Sequence, residues 1–224
     1  MSAIFSIVGT FMLFLVMRYF YIRYSYSFLH PVLTSTMIVC VILVAFKIPY
    51  ATYMEGAKWI NELLGACVVA LALPLYNQRN IILKYKNAIL LGISSGLFTA
   101  MGSIVLFAKL LGVEDKMIYT LLPKSITTPV AIQLSETMSG MPSLTAVFVM
   151  LAGFSGIIIG PYLLKWMKIK DPLSVGIAFG SASHALGVAK SSEYGELSLS
   201  MASVSMTLSA ISGAIIGPLI ILFI

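Results

Sequence analysis

Long apolar runs alternate with short polar gaps along the whole chain. Six runs reach the length that a helix needs to cross the hydrocarbon core of a bilayer, about 17 to 25 residues. They lie at approximately 2–18, 31–47, 61–77, 88–110, 143–164 and 197–223. The pattern predicts an all-α polytopic membrane protein with about six spanning helices.

Two further stretches, 117–137 and 172–193, are too apolar for ordinary loops and too interrupted for simple spanning helices. The first contains "PKSITTP", where Pro123 and Pro129 each remove an amide donor and disfavour helical geometry at the preceding residue. Irregular backbone survives at membrane depth only when it is buried in protein or lines a wet cavity. We therefore expect two re-entrant or broken segments.

Composition supports the membrane class. Hydrophobic residues make up 59% of the chain and charged residues 10%, and the mean hydropathy is +1.01, whereas a soluble domain carries roughly 25% charged residues. The net charge of +6 does not indicate nucleic-acid binding, because most basic residues fall in the gaps between apolar runs. Cys40 and Cys67 lie within apolar runs and are too few for a metal or disulfide framework. We expect no cofactor and no metal.

The basic gaps predict the topology. Cytoplasmic loops carry an excess of Lys and Arg, and three gaps have this excess: Arg18 and Arg23; Arg79, Lys84 and Lys86; Lys165, Lys168 and Lys170. The run at 143–164 delivers its lysines to the cytoplasm only if 117–137 enters and leaves the membrane on the outer side. By the same logic 172–193 enters and leaves on the cytoplasmic side.

A weak internal repeat agrees with this topology. At a shift of 57 residues Glu114 falls on Asp171 and Thr127 on His184, and Ser135-Glu136 falls on 192–193. The predicted organisation is one membrane domain with N-terminal helices 1–86, repeat units 87–137 and 141–193, and a final helix 194–224. Inverted repeats with broken segments are a recurring architecture of transporters. For this chain we expect an elevator-like version of it. Chance similarity between two apolar segments rich in Gly and Ser remains the alternative.

Polar residues of the two broken segments are candidate ligands for a small anion, because ionisable groups at membrane depth are costly and often functional. The predicted substrate-binding residues are Lys124, Ser125, Thr127, Thr128, Ser181, Ser183 and His184. Candidates for proton coupling are His184, Glu136 and Glu193. Backbone or hinge roles fall to Pro123, Pro129, Gly180, Gly187 and Pro74. The alternatives are snorkelling for Lys124, packing for His184 and exposed turns for the glutamates.

Four stretches together resemble the LrgB/CidB family over nearly the whole chain: "ALALPLYNQ", "PKSITTPVAIQLSE", "GFSGIIIGPYLL" and "GIAFGSASHALGVAKSSE". The resemblance implies a multi-pass protein of the bacterial inner membrane and a partner of the LrgA/CidA type. Members are known as antiholin-like regulators of murein hydrolase export, and the family includes pyruvate-uptake components and the plastid glycolate/glycerate translocator. Two departures are "SGMP" at 139–142, where a glycine pair is expected, and "GVA" at 187–189, where Gly-Thr-Ala is expected.

Three hypotheses follow. The first is a secondary transporter of small monocarboxylates without enzymatic activity, because transport explains the two polar segments. Whatever the function, we expect a homo-oligomer, in particular a dimer. The second is an antiholin-like regulator of cell lysis acting with a holin-like partner. A remote third is an intramembrane serine protease, because "GFSG" at 153–156 and His184 could supply a Ser155–His184 dyad.

Overall fold

The computed structural model describes residues 2–24, 29, 31–70 and 72–222, and all regular elements in these ranges are helical. The helices are α1 Ser2–Tyr24, α2 Pro31–Ala45, α3 Tyr50–Ala70, α4 Ala72–Asn77, α5 Arg79–Lys84, α6 Lys86–Leu110, α7 Asp115–Leu121, α8 Thr128–Thr137, α9 Pro142–Trp166, α10 Pro172–Ser191 and α11 Glu196–Ile221. Two short 3₁₀ helices, Leu122–Ser125 and Ser192–Tyr194, follow α7 and α10.

Five described helices are long and apolar enough to cross a membrane, which confirms the predicted all-α polytopic class. They are Ser6–Tyr24, Lys86–Leu110, Pro142–Trp166, Pro172–Tyr194 and Glu196–Ile221. Helix α2 is apolar but shorter. The predicted third span, 61–77, differs: α3 begins at Tyr50, and its charged residues Glu55, Lys58 and Glu62 lower its hydropathy. The five long apolar helices therefore include the segment predicted to be broken, 172–193, and do not include the predicted span 61–77.

The chain forms two compact units, residues 1–67 and 68–224. In the first unit α1 packs on α2, and a pair of hydroxyls joins α1 to α3. Thr10 Oγ1 donates to the carbonyl oxygen of Ser6 over 2.6 Å and lies 2.9 Å from the Tyr53 hydroxyl. Because the Thr10 proton is used by Ser6, Tyr53 donates to Thr10.

The second unit has an apolar core to which the broken segments contribute. Helix α6 supplies a stripe of buried residues four positions apart, namely Ile89, Ile93, Leu97 and Met101. This spacing keeps them on one helical face. The stripe packs with Leu122 and Ile126, which lie between α7 and α8, and with residues of α8, α10 and α11. The segment between α7 and α8 is thus part of the core and not a solvated loop.

The segment from α7 to α9 returns to the place where it begins. The N–H of Met141, just before α9, donates to Thr120 Oγ1 of α7 over 2.9 Å. Thr145 Oγ1 of α9 donates to the carbonyl oxygen of Thr120 (2.8 Å) and lies 2.7 Å from Ser135 Oγ of α8. A side chain at Gly140 would lie 2.6 Å from that same Ser135 oxygen. Entry and exit of the segment are therefore neighbours, as a re-entrant hairpin requires.

Helices α6 and α9 have the same length and end in the same way. Each has 25 residues and is followed by a residue of positive φ, Gly112 (65°) or Lys168 (57°). In both turns the next N–H returns to the helix over 2.9 Å, from Val113 to Ala108 and from Ile169 to Leu164. The same kind of turn follows α2 at Lys47 and α8 at Ser139, so it does not distinguish α6 and α9 from the other helices, and the repeat with its unit boundaries stays a prediction.

We expect the Thr145→Val substitution to destabilise the protein by about 1–3 kcal/mol, because it removes the hydroxyl shared by Thr120 and Ser135 and leaves buried polar groups unpaired. The measurement is the free energy of unfolding in detergent micelles. Thr99→Val is the matched control, because Thr99 is exposed on α6. Equal stability of the two variants would contradict a structural role for this hydroxyl cluster.

Candidate functional site

The first chain break lies between the 3₁₀ helix Leu122–Ser125 and α8. Ile126 is extended, with φ −122° and ψ 166°, and Thr127 precedes α8 with φ −58° and ψ 140°. Pro129 occupies the first turn of α8, where its missing N–H costs no intrahelical bond. The predicted break in "PKSITTP" is therefore present, three residues before Pro129.

The second break lies within α10 at His184, whose φ of 51° and ψ of −137° separate two helical stretches. A positive φ is uncommon and costly for a residue with a side chain. Gly187 accommodates the break, since a Cβ there would collide with the carbonyl oxygen of Phe179. Gly180 plays a similar part before the break, where a Cβ would collide with the carbonyl oxygen of Ala202 on α11.

A hydrogen bond joins the two breaks. His184 is 5% exposed, and its Nε2 lies 3.1 Å from the carbonyl oxygen of Lys124. A carbonyl oxygen only accepts, so Nε2 carries the proton, and in the neutral ring Nδ1 is left as an acceptor. In a continuous helix the Lys124 carbonyl would accept from the N–H four residues later. The chain break releases this acceptor, and His184 satisfies it.

Groups suited to an anion surround the first break. Ser125 and Thr127 are buried and Thr128 is half-buried, and no hydrogen bond of their hydroxyls joins them to another described residue. Lys124 is half-buried and forms no ion pair within the described ranges. The first N–H groups of α8 have no intrahelical acceptor, and the helix dipole makes this end positive. The turn therefore offers a charge, hydroxyls and amide donors together.

The two other predicted hydroxyls lie elsewhere around α10. Ser181 Oγ donates to the carbonyl oxygen of Ile177 over 2.7 Å and lies beside Gly96 of α6. Ser183 is 1% exposed, its hydroxyl has no partner among the described residues, and it faces Gly156 of α9. The structure thus groups His184 with the first break and places Ser181 and Ser183 against other helices.

The predicted acidic residues lie near the ends of the broken segments. Glu193 is half-exposed and accepts from Lys190 Nζ through both carboxylate oxygens, at 2.8 and 2.7 Å. Sequence reasoning missed Lys190, although opposite charges three residues apart in an apolar segment indicate such a pair. Glu136 is exposed near the end of α8. Pro74 lies within α4, and its side chain is outside the described set.

The structure offers no support for a serine–histidine dyad. Ser155 Oγ donates to the carbonyl oxygen of Ala152 over 2.8 Å, while His184 Nε2 donates to Lys124. A nucleophile and its base need a mutual hydrogen bond. Within the described ranges, no group of three or more His, Cys, Asp or Glu side chains could hold a metal ion.

The backbone at His184 yields a prediction about stability. In a regular helix Ala is more stable than Gly by about 1 kcal/mol, but a positive φ favours Gly by about 1–2 kcal/mol. We therefore expect His184→Gly to unfold at a higher denaturant concentration than His184→Ala, the reverse of the usual order. Ala189→Gly, in the regular part of α10 after the break, is the control and should destabilise. The usual order at His184 would show that the residue is not held at positive φ.

Comparison with known proteins gives full-length relatives. An uncharacterised protein of Bacillus subtilis, YxaC, is 52% identical over 219 residues, which is 98% of this chain and 95% of the relative. An uncharacterised protein of Haemophilus influenzae is 40% identical over 88% of this chain and 86% of its own length. The holin-like protein CidB of Staphylococcus epidermidis is 32% identical over 99% of this chain and 97% of its own length. No solved structure matches significantly.

The family comparison agrees with these relatives. Residues 10–223 match the LrgB-like family. This range covers every described helix except the start of α1. Both breaks and the segments that meet at His184 lie inside the matched range. The chain is a multi-pass membrane protein, and it belongs to the LrgB-like family.

Proposed function

We propose that this protein carries small monocarboxylates of the glycolate, glycerate or pyruvate type across the bacterial inner membrane, without enzymatic chemistry. The observation behind the proposal is the first break, where Lys124, the unpartnered hydroxyls of Ser125 and Thr127, and the positive end of α8 lie in one short turn. A carboxylate supplies the negative charge and acceptors that these groups lack. Broken segments that meet at membrane depth are also a recurring plan of secondary transporters.

The roles within the proposed site follow from chemistry. Lys124 attracts the carboxylate as a point charge, and the hydroxyls of Ser125, Thr127 and Thr128 bond to its oxygens or to a neighbouring keto or hydroxyl oxygen. His184 presents Nδ1 as an acceptor while Nε2 is held by the Lys124 carbonyl. This arrangement suits a proton-coupling role for His184. Ser181 and Ser183 contact α6 and α9 and not the groups at the first break. We therefore do not include them among the residues that bind the substrate carboxylate.

Uptake into proteoliposomes tests the proposal. We expect radiolabelled glycolate or pyruvate to accumulate with the wild-type protein. Lys124→Met should raise the apparent KM on the order of tenfold to a hundredfold, because a hydrogen bond to a charged group contributes about 1.5–3 kcal/mol. Thr127→Val should raise it by a smaller factor. Lys116→Met is the control, since Lys116 is an exposed lysine of α7 outside the break.

The outcomes separate the site from the function. Uptake that is unchanged in Lys124→Met and in Thr127→Val would refute the assigned site while leaving transport in place. A wild-type protein that is folded by its unfolding transition but takes up none of the C2 to C4 carboxylates would refute transport. A change in Lys116→Met as large as in Lys124→Met would show only a loss of general surface charge.

The second candidate is an antiholin-like regulator of murein hydrolase export and cell lysis. The observation that favours it is the name of the relatives, since proteins of Staphylococcus epidermidis and Staphylococcus aureus called holin-like protein CidB are 32% and 34% identical to this chain. Such a regulator acts by assembly, here as a homodimer with a small membrane partner of the LrgA/CidA type. The names favour this candidate, and the polar break favours transport.

Co-expression distinguishes the two candidates. A regulator should change the oligomeric distribution of an LrgA/CidA-type partner, measured by cross-linking in membranes, and Lys124→Met should leave that change intact. A transporter should lose uptake in the same variant. A partner whose distribution is the same with and without this protein would contradict the regulatory candidate.

A further inference from the structure

A groove runs between α9 and α10, and Ser183 is part of its lining. Its volume is 370 Å³, and apolar groups form almost all of its wall. The α9 side contributes Gly156, Gly160 and Leu163, and the α10 side contributes Ala178, Phe179 and Ala182. The two glycines let α9 approach α10 closely at the floor of the groove, because a Cβ at Gly156 would collide with Ser183 and one at Gly160 would lie 2.8 Å from the ring of Phe179.

The length of the groove matches one leaflet of a bilayer. Its lining residues run from Ser155 on α9 to Met167 just after the helix, twelve positions apart in the sequence, which at 1.5 Å per residue is about 18 Å. Half of a hydrocarbon core is about 15 Å. Tyr162 and Trp166 are 73% and 78% exposed near this end of α9, as expected for aromatic side chains at a membrane interface. The groove therefore runs from the interface towards the middle of the membrane.

The interfacial end of the groove is basic. Lys165 is exposed in the last turn of α9, and Lys168 and Lys170 are exposed in the turn that follows. None of the three is in an ion pair with another described residue. The nearby carboxylate of Asp171 is engaged by the hydroxyl (2.7 Å) and the N–H (2.9 Å) of Ser174. The same side-chain and backbone hydrogen bonds hold the pKa of Asp171 below its usual value. Even with Asp171 ionised, the turn keeps a net positive charge.

We propose that the groove between α9 and α10 binds an anionic phospholipid of the adjacent leaflet, with one acyl chain along the groove and the phosphate at the three lysines. The apolar wall excludes a polar headgroup, and the basic turn selects a negative one. Loop charge predicts that this leaflet is cytoplasmic, the face where anionic lipids attract basic segments. The proposal is independent of the proposed transport, because it uses none of the groups at the first break.

Lipid binding to the purified full-length protein tests the inference. Native mass spectrometry in detergent would compare dioleoylphosphatidylglycerol with dioleoylphosphatidylcholine. We expect the wild-type protein to prefer the anionic lipid. Replacing Lys165, Lys168 and Lys170 with Gln should reduce that preference on the order of fivefold per lysine. The matched control replaces Arg79, Lys84 and Lys86 with Gln, which removes the same charge from α5 and the start of α6, away from the groove, and should leave the preference unchanged.

A second pair of variants tests the groove itself. Ala182→Phe places a ring in the groove and should abolish the tightly bound lipid. Ala214→Phe adds the same ring to an exposed position of α11 outside the groove and should not. Ser183→Ala should also leave lipid binding unchanged, because an acyl chain does not use the hydroxyl at the deep end of the groove.

Several results would overturn the inference. Equal binding of the two lipids, or undiminished binding in Ala182→Phe, would remove the lipid site. Binding lost in Ser183→Ala would indicate a polar ligand, and displacement of the lipid by soluble glycerol phosphate would indicate a free phosphate site. An Ala182→Phe variant that becomes monomeric from a wild-type dimer would indicate that a second copy of the chain covers the groove. The lysine variants lie on the surface and remain informative if Ala182→Phe does not fold.

Discussion

The hydrogen bond from His184 to the carbonyl oxygen of Lys124 pairs a backbone group that would otherwise have no partner within the described part of the protein. Two helices are interrupted within a membrane protein, and an interrupted helix leaves backbone groups without partners in a medium that offers no water. The bond pairs a group released by one break with the side chain at the other. The side chain at the second break thus satisfies a backbone group that the first break leaves without a partner. Neither broken segment could form this hydrogen bond alone.

Helix α11 supports both broken segments through its small residues. Gly213 receives Ile126 of the first segment, where a Cβ would lie 2.6 Å from the isoleucine side chain, and Gly217 receives Leu134 of α8. Nearer the start of α11, Ala202 packs against Gly180 of α10, and Ser205 Oγ donates to the carbonyl oxygen of Ile177 over 2.9 Å. Small side chains allow this close approach of helices where lipid offers no hydrophobic driving force.

The sequence predicts much of this arrangement because the strongest signals are local. Apolar length identifies four of the five long spanning helices but misplaces the third run, 61–77, whose helix α3 begins at Tyr50. The prolines identify the first break within three residues. The break at His184 could not be placed, since neither proline nor glycine occupies that position and its side chain bonds to Lys124, which is sixty residues away in the sequence. The sequence also could not predict which of the candidate polar side chains lie together in the structure, because that depends on packing between distant helices. Ser181, Ser183 and His184 are close in sequence, yet the helix turn and the break direct them to Gly96, Gly156 and Lys124.

The bond between the breaks has a consequence for motion. If one segment shifts relative to α11, the hydrogen bond from His184 to the Lys124 carbonyl is broken unless the other segment shifts with it, and an unpaired buried polar group is costly. Intermediate arrangements with one break displaced are thereby penalised. The bond therefore favours arrangements in which the two segments keep their relative position and move as one body.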